Sequence, residues 1–379
     1  LKYLVDKYHI TASCNCRDQV GTDGYTMWGG YWQGAYYPSK NNAYIPAQTK
    51  SRQINVPVFR MLGSDPLYQY ECGVGGVVQG VSTLEPVYAA GGGSESWVDW
   101  YLQVVTQDPA MGYTYFQAGQ ENSFTWGSMQ KGFEMQMPKI AALRSSGAVR
   151  VETLEESGRN FSKRYKLTPP TATSALSDYT PRNAKTLWYN SRYYRTNLFW
   201  EKGAFRFRDI QIFNEDNKSP YLTTPGTSTE CLYFALPFVD GCLWSKPDYM
   251  AGLRILERGA DGEYKEIRCI GQNIKASGKI TTVTINAAGG AQYTISLREK
   301  DITVSSGKGN GYCLELTTAQ DAKTPFAHIA PKEITSVRDG FAYFTKLKSG
   351  TFTDMRETPG KICRISPEGK GIVLHLAQK

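Results

Sequence analysis

The chain has 379 residues, of which 41% are hydrophobic and 21% charged, and this balance excludes a disordered or fibrous protein. Its formal net charge of +8 is spread among acidic residues and forms no basic stripe, so nucleic-acid binding is not expected. No run approaches the roughly 18 apolar residues that a membrane-spanning helix needs. A chain of this length usually forms more than one hydrophobic core, so we expect two domains.

Strand and helix patterns alternate through the first 145 residues. The chain opens with Leu1, Leu4, Val5 and Tyr8 at helical spacing, which predicts a helix whose beginning lies upstream. Further along, β-forming runs predict strands and longer periodic runs predict helices, in the order strand 10–16, strand 54–62, strand 80–88, helix 95–107, strand 112–117 and helix 127–145.

This order predicts a parallel sheet whose strands are joined by helical crossovers. Four such units are half of an eightfold barrel, whose full form takes about 250 residues. We therefore expect residues 1–147 to be the C-terminal half of a (β/α) barrel, incomplete at its N-terminus. A small parallel α/β sheet is the alternative.

The pattern changes at about residue 148. Residues 148–183 contain a Thr-, Pro- and Ser-rich stretch, which indicates a connecting segment. From 184 to 379, short β-type runs follow one another without helices between them, which predicts a large antiparallel β-sandwich. The expected fold class is therefore α/β followed by all-β. We interpret the aromatic run 187–200 as a domain interface or sandwich core, in preference to a carbohydrate-contact surface.

Each predicted strand of the first domain leads into polar side chains. Ligands of parallel α/β sheets and barrels bind at the carboxyl ends of the strands, so we expect these side chains to line one pocket. Glu85 and Glu121 follow neighbouring strands and suit the acid and base, or acid and nucleophile, of glycosidic bond hydrolysis. Asp18 is a third catalytic candidate. Substrate-binding candidates at the same ends are Arg17, Arg60, Asp65, Gln117, Gln120 and Asn122. The alternative is that strand ends lead into loops, which are polar in most proteins.

Aromatic residues are concentrated in the predicted loop 19–50, where they alternate with Gly and Asn. Flat aromatic faces beside amides and carboxylates suit sugars, whose C–H faces are apolar and whose edges carry hydroxyl groups. Trp28 and Tyr31 from this loop, and Trp126 after the fourth strand, are therefore candidate sugar contacts. Aromatic packing that makes a long loop rigid is the alternative.

Cysteine and histidine are poorly placed for a metal or nucleophile site. The eight cysteines include no CxxC pair, and the histidines are far apart in sequence, at His9, His328 and His375. Structural zinc sites use clustered Cys and His ligands, so neither a metal site nor a Cys–His pair is expected. Hydrolysis by paired carboxylates needs no organic cofactor either.

Four stretches together resemble a known family: "CNCRDQVGTDGYTMWGGYW", "VFRMLGSDPLYQY", "GVSTLEPVY" and "FQAGQENSFTW". They are similar to the C-terminal part of the (β/α)-barrel of large secreted carbohydrate-active proteins of gut Bacteroidetes, which continue into a β-sandwich. The resemblance implies glycan hydrolysis and export to the periplasm or cell surface. It also implies that Glu85 and Glu121 are the carboxylates, and that the sugar contacts include Gln117, Gln120, Trp28 and Trp126.

The leading hypothesis is therefore a glycoside hydrolase that acts on an oligo- or polysaccharide and is secreted, periplasmic or at the cell surface. A non-catalytic carbohydrate-binding protein is the rival, and a structural or adhesive sandwich protein is a third hypothesis. A deacetylase-type barrel is also conceivable if its metal ligands lie upstream. The sequence does not indicate an oligomeric state.

Overall fold

The computed structural model describes residues 1–15, 30–60, 63–71, 74, 82–119, 124–225, 235–369 and 371–378, the side chain of Asn15 excepted. Strands dominate these ranges, and large antiparallel sheets contain most of them. No helix within the same ranges is long and apolar enough to cross a membrane.

Residues 1–170, here called the N-terminal region, hold all four α-helices of the described ranges. Helices α2 and α3 agree with the predicted helices 95–107 and 127–145, because each is a long run with apolar residues at helical spacing. The elements in chain order are α1 (Lys2–Tyr8), β1 (Ser13–Asn15), β2 (Ala35–Tyr36), β3 (Val58–Arg60), α2 (Glu95–Gln107), β4 (Ala110–Met111), α3 (Trp126–Ser145) and α4 (Leu154–Arg164).

Residues 171–378, here called the two-sheet region, consist of strands joined by turns and loops. The first part contains β5 (Thr171–Ala175), β6 (Lys185–Asn190), β7 (Tyr194–Glu201), β8 (Ala204–Ile212), β9 (Leu236–Asp240), β10 (Gly252–Arg258) and β11 (Tyr264–Glu266). The second part contains β12 (Cys269–Ser277), β13 (Ile280–Ala287), β14 (Gln292–Leu297), β15 (Asp301–Ser306), β16 (Tyr312–Thr317), β17 (Phe326–Ala330), β18 (Glu333–Arg338), β19 (Phe341–Ser349), β20 (Thr351–Asp354), β21 (Lys361–Ser366) and β22 (Ile372–His375).

These strands form two antiparallel sheets that share one hydrophobic core. The larger sheet runs in the order β20-β21-β16-β10-β8-β7-β6-β5-β4, with β11 also paired to β10 and β9 to β8. The smaller runs β12-β13-β14-β15-β22-β19-β18-β17. Leu198 and Phe207 of the larger sheet and Ile285 and Leu374 of the smaller belong to the same buried cluster. The prediction of large antiparallel sheets is confirmed, and the shared core is the arrangement of a β-sandwich.

The N-terminal region covers the opposite face of the larger sheet along β6, β7 and β8. Along β7, Leu198 points into the shared core, whereas Phe199 packs with residues of helix α2. On β6, the buried ring of Trp188 stacks on Trp32 with centroids 4.1 Å apart. Side chains alternate between the two faces of a sheet, and an antiparallel sheet commonly has one of these faces toward solvent. Here both faces are buried, which confirms the interpretation of 187–200 as core and interface.

Arg208 on β8 is the central cation of this interface, and its side chain is fully buried. Its guanidinium donates to the carbonyl oxygen of Leu67 at 2.7 Å and to Asn197 Oδ1 at 2.7 Å. It lies 4.2 Å from the ring centroid of Phe199 and 4.8 Å from that of Tyr70. Burial lowers the pKa of Arg208, and these acceptors and rings offset the cost of removing the charge from water.

Three ion pairs lie at the same interface. Glu71 Oε1 lies 3.5 Å from Arg208, and Glu71 Oε2 accepts a hydrogen bond from Arg182 at 2.9 Å. Arg195 on β7 is paired with Asp209 at 2.9 and 3.0 Å, and both side chains are buried. The Arg195–Asp209 pair lies within the larger sheet, whereas Glu71 joins the N-terminal region to Arg182 and Arg208 of the two-sheet region. Separating the two regions would therefore remove the carboxylate partner of the buried Arg208.

The described part of the N-terminal region does not show a (β/α) barrel. Strands β1 and β3 are parallel, β2 joins β3 antiparallel, and β4 pairs with β5 of the larger sheet. The predicted strand 112–117 is wrong, because residues 113–117 make no ladder. Of the predicted strand 80–88, residues 80 and 81 lie outside the described ranges, and residues 82–88 contain only a single bridge, between Thr83 and Ser64.

The physical reason lies at Gly112, which has a φ of +82° and turns the chain out of β4. Tyr113 and Tyr115 then pack their rings against Phe59 of β3 with centroid distances of 6.0 and 4.8 Å. The β-forming residues of this run therefore serve as aromatic packing, without strand partners. The predicted connecting segment 148–183 contains α4 and β5, and the predicted domain division stays a prediction.

Asp240, at the end of β9, provides a test of this buried interior. It is 2% exposed, and its Oδ1 accepts from the amides of Cys242 at 3.0 Å and Leu243 at 2.8 Å. Burial raises the pKa of Asp240 to about 6, above the roughly 3.9 of an unfolded chain. The stability that protonation contributes is therefore present below about pH 4 and is lost as the pH rises through about 6.

We expect Asp240→Asn to keep the two amide hydrogen bonds. The stability of the variant should not fall as the pH rises through about 6, because asparagine does not ionise. The unfolding free energy of the variant, relative to the native protein, should rise between pH 4 and pH 7 by at most about 3 kcal/mol. Urea unfolding at several pH values measures the difference. A difference that does not change with pH would contradict the assignment.

Candidate functional site

The parallel pairing of β1 and β3 creates the edge at which a site was predicted. Asn15 pairs with Arg60 in register, so the chain leaves both strands at the same edge, here called the strand-end edge. Gln33 donates from Nε2 to the carbonyl oxygen of Ser64 at 2.7 Å. Arg60, Gln33 and Ser64 are all buried. This edge therefore consists of polar side chains enclosed by protein.

Helix α2 packs against this edge through Tyr101. A side chain at Gly63 would place its Cβ only 2.6 Å from the Tyr101 hydroxyl oxygen, so glycine is required for the ring to approach. The ring is fully buried, and its hydroxyl has no hydrogen-bond partner in the described part of the protein. Burial raises the pKa of Tyr101, and the hydroxyl therefore stays neutral.

Asp65 follows directly and is fully buried. Its two oxygens accept from five protein donors, namely the amides of Leu67 (2.7 Å) and Tyr68 (3.0 Å), the hydroxyls of Ser82 (3.2 Å) and Tyr179 (2.7 Å), and the indole of Trp97 (3.3 Å). Burial raises the pKa of Asp65, and these hydrogen bonds act in the opposite direction. The structure thus gives Asp65 a structural role, whereas the sequence predicted a substrate contact.

Glu85 lies in a buried loop and is 2% exposed. Its Oε2 accepts from the hydroxyl of Thr83 at 3.1 Å. Helix α3 holds this loop, because Gln136 Nε2 donates to the carbonyl oxygens of Leu84 at 2.9 Å and Gly92 at 2.6 Å. The Thr83–Ser64 bridge joins the loop to the residues that follow β3. Glu85 is therefore held rigidly beside the strand-end edge, on a loop and not on a strand.

The segment that ends at Gln117 runs beside β3 toward the same edge. Tyr115 packs on Phe59, and Phe116 contacts Tyr101 edge-on with centroids 5.9 Å apart. The side-chain oxygen of Gln117 is buried and has no hydrogen-bond partner in the described ranges. An unpaired buried acceptor costs about 1–3 kcal/mol. Such a group calls for an explanation, and a ligand donor would supply one.

Two predicted contacts lie in other environments. Tyr31 is fully buried, stacks on Tyr36 at 5.1 Å and bonds to Thr171 Oγ1 at 2.9 Å. It is therefore part of the packing that makes the loop rigid, which was the alternative interpretation. Trp126 begins α3, is 58% exposed, and lies parallel to Phe133 at 6.2 Å. It remains available to a ligand.

The remaining candidates, Arg17, Asp18, Trp28, Gln120, Glu121 and Asn122, lie outside the described residues, so their roles stay predictions. Within the described ranges, no group of three or more His, Cys, Asp or Glu side chains could hold a metal ion. The structure adds Tyr101 and Gln136 to the site. Tyr101 lies on the predicted helix 95–107 and was not a site candidate, and no sequence signal distinguishes Gln136 from the exposed amides of α3.

No family model matches the sequence, and no curated protein matches it. Among solved structures, the chain is similar to a crystal structure described as a "putative glycoside hydrolase/deacetylase from parabacteroides distasonis", with 14% identity and a TM-score of 0.41. The similarity covers 56% of this chain and 53% of that one. The chain thus matches about half the length of that structure, and a likeness of this extent carries no functional argument.

The contact between α3 and the Glu85 loop can be tested at two glycines of one helix. A Cβ at Gly132 would lie 2.4 Å from the carbonyl oxygen of Pro86, whereas one at Gly127 would meet nothing within 4 Å. We expect Gly132→Ala to lower the unfolding free energy by about 1–3 kcal/mol, because the helix must move away from the loop.

Gly127→Ala is the matched control, and it should leave the unfolding free energy unchanged or raise it by up to about 1 kcal/mol. Urea denaturation of both variants gives the comparison. Equal stability of the two variants would show that the helix does not press on this loop.

Proposed function

We propose that the protein processes glycans and that its ligand site lies at the strand-end edge. The observation that carries this proposal is that two segments reach the residues around the end of β3. The Glu85 loop does so through the Thr83–Ser64 bridge. The segment that ends at Gln117, whose buried side-chain oxygen has no hydrogen-bond partner in the described ranges, does so through Phe59 and Tyr101. A carboxylate enclosed by protein is a candidate for proton transfer. An unpaired side-chain carbonyl is suited to accept a hydrogen bond from a sugar hydroxyl.

The finer assignment is a glycoside hydrolase with Glu85 and Glu121 as its carboxylates. Hydrolysis of a glycosidic bond needs one carboxyl group to protonate the leaving oxygen and a second to attack or to activate water. Support comes from the resemblance of the stretches that contain both residues to secreted carbohydrate-active barrels. The same resemblance, together with the parallel pairing of β1 and β3, supports the interpretation of the N-terminal region as part of such a barrel.

The remaining assignments follow from that resemblance. We propose that the substrate is an oligo- or polysaccharide, with Trp126 as a stacking surface at the rim of the site. We also propose that the protein acts outside the cytoplasm, in the periplasm, at the cell surface or in the medium. A deacetylase would need metal ligands beyond the described residues.

A non-catalytic carbohydrate-binding role is the second candidate, and the burial of Glu85 favours it. A side chain that is 2% exposed and accepts a hydrogen bond from Thr83 must gain access to the substrate before it can transfer a proton. A binding protein needs no such access, because Gln117 and the exposed Trp126 ring would be sufficient contacts.

Conservative variants of the two carboxylates test the proposal. Glu85→Gln can still accept the Thr83 hydrogen bond, so the fold should persist, as thermal unfolding would verify. We expect Glu85→Gln and Glu121→Gln each to lower turnover by about 10²–10⁴-fold, because each removes one proton-transfer group. Release of reducing sugar from a panel of plant and host glycans measures the turnover.

Glu134→Gln on the exposed surface of α3 is the matched control and should turn over at the native rate. Native turnover in both site variants would refute the catalytic assignment. Glycan binding without turnover by the native protein would favour the non-catalytic role.

A further inference from the structure

The larger sheet carries a second polar surface, separate from the strand-end edge. It is a cleft of about 580 Å³ over β10, β16 and β21, bounded by the turn 246–249 and by residues 317–321 and 359–361. A second cleft of about 540 Å³ adjoins it and shares Lys246, Ala319 and Asp321. Both volumes are in the range of ligand sites. The two clefts together are here called the sheet groove.

The floor of the sheet groove is a row of paired charges from three strands, Arg254 of β10, Glu315 of β16 and Lys361 of β21. Arg254 lies opposite Glu315. Glu315 is 4% exposed and binds Lys361 at 3.0 Å, and it also binds Arg364 further along β21 at 2.7 Å. Arg254 donates to Thr317 Oγ1 at 2.8 Å. Because each charge has a partner, the floor presents fixed hydrogen-bonding groups and little net charge.

One wall of the groove is a closed turn that presents an aromatic ring. The amide of Lys246 donates to the carbonyl oxygen of Tyr249 at 2.9 Å, and the amide of Tyr249 donates back at 3.0 Å. The Tyr249 ring is 40% exposed, and the guanidinium of Arg254 lies 6.0 Å from its centroid. Lys246 Nζ also reaches Asp321 Oδ2 at 2.5 Å. The ring therefore stands on a turn that is fixed at both ends.

The charge balance of the main cleft decides between ligand classes. Its lining contains three cationic and four acidic side chains, Lys246, Arg254, Lys361, Asp248, Glu266, Glu315 and Asp321. Most of them form ion pairs. A phosphate or a metal ion would need an excess of one sign. A neutral ligand rich in hydroxyl groups needs only paired donors and acceptors beside an aromatic face.

The groove does not suit a peptide that adds a strand to the sheet. Such recognition requires an unpaired strand edge. Strand β10 pairs with β8 and β16, and β16 pairs with β10 and β21. The groove thus lies on a sheet face whose backbone groups are already bonded, and only side chains can contact a ligand there.

We propose that the sheet groove binds a neutral oligosaccharide, with Tyr249 stacked on a sugar ring and the side chains of Arg254, Glu315 and Lys361 bonded to its hydroxyl groups. The adjoining cleft continues the surface past the Lys246–Asp321 pair, so a chain of several sugars fits better than a single one. The ligand class follows from the groove itself. The groove binds glycan whether or not Glu85 takes part in catalysis.

Affinity electrophoresis tests the proposal, with the full chain run through gels that contain hydroxyethylcellulose, galactomannan, xylan or pullulan. We expect at least one of these neutral polymers to retard the native protein. Tyr249→Ala should weaken that retardation about tenfold in apparent affinity, because it removes the stacking face. Tyr3→Ala, which removes an exposed ring on α1, is the matched control and should bind like the native protein.

Glu85→Gln separates this proposal from the catalytic one, because it should leave retardation unchanged even where it abolishes turnover. Equal retardation of Tyr249→Ala and native protein would overturn the proposal, as would the absence of retardation by all four neutral polymers. Loss of retardation in Glu85→Gln would assign the binding to the strand-end edge instead. Retardation by the charged polymer polygalacturonate alone would show that the ligand is recognised by charge.

Discussion

The guanidinium of Arg208 lies fully buried between the two-sheet region and the N-terminal region, and the arrangement of both depends on how its charge is satisfied. Its partners come from both sides, the Leu67 carbonyl and Glu71 from the N-terminal region and Asn197 from the sheet. Removing one partner of a buried charge typically costs 3–5 kcal/mol. The larger sheet is therefore the support on which the irregular N-terminal region is held.

A short chain of contacts connects this cation to the candidate site. The carbonyl oxygen of Leu67 accepts a hydrogen bond from Arg208, and the Leu67 amide donates one to Asp65. Asp65 in turn binds Trp97 of α2 and Ser82, and the Thr83 that follows is bonded to Glu85. A carboxylate that the sequence suggested as a ligand contact thus connects the sheet to the candidate catalytic residue. Such supporting contacts hold functional groups in place when the backbone around them is irregular.

The sequence allowed α2, α3 and the antiparallel sheets to be predicted, because each is a long or repeated periodic pattern. The prediction of a strand at 112–117 was wrong, because β propensity reports a packing preference and supplies no strand partner. The tyrosines of this run pack on Phe59 instead. The roles of Asp65 and Tyr31 depend on Tyr179 and Thr171, which lie 114 and 140 residues away in sequence. No local pattern reveals such contacts. Glu85 was predicted on a strand, whereas the structure shows it buried on a loop, and its catalytic role stays a prediction.

Hydrogen–deuterium exchange of Arg208→Met, compared with the native protein, tests most directly whether the sheet supports the candidate site. Methionine retains much of the apolar stem and removes the charge and its donors. Amides of residues 63–71 and 82–93 should lose protection, while strands β12–β15 and β22 of the smaller sheet keep theirs. Native protection throughout 63–71, or an equal loss across both sheets, would show that the larger sheet does not support the site through Arg208.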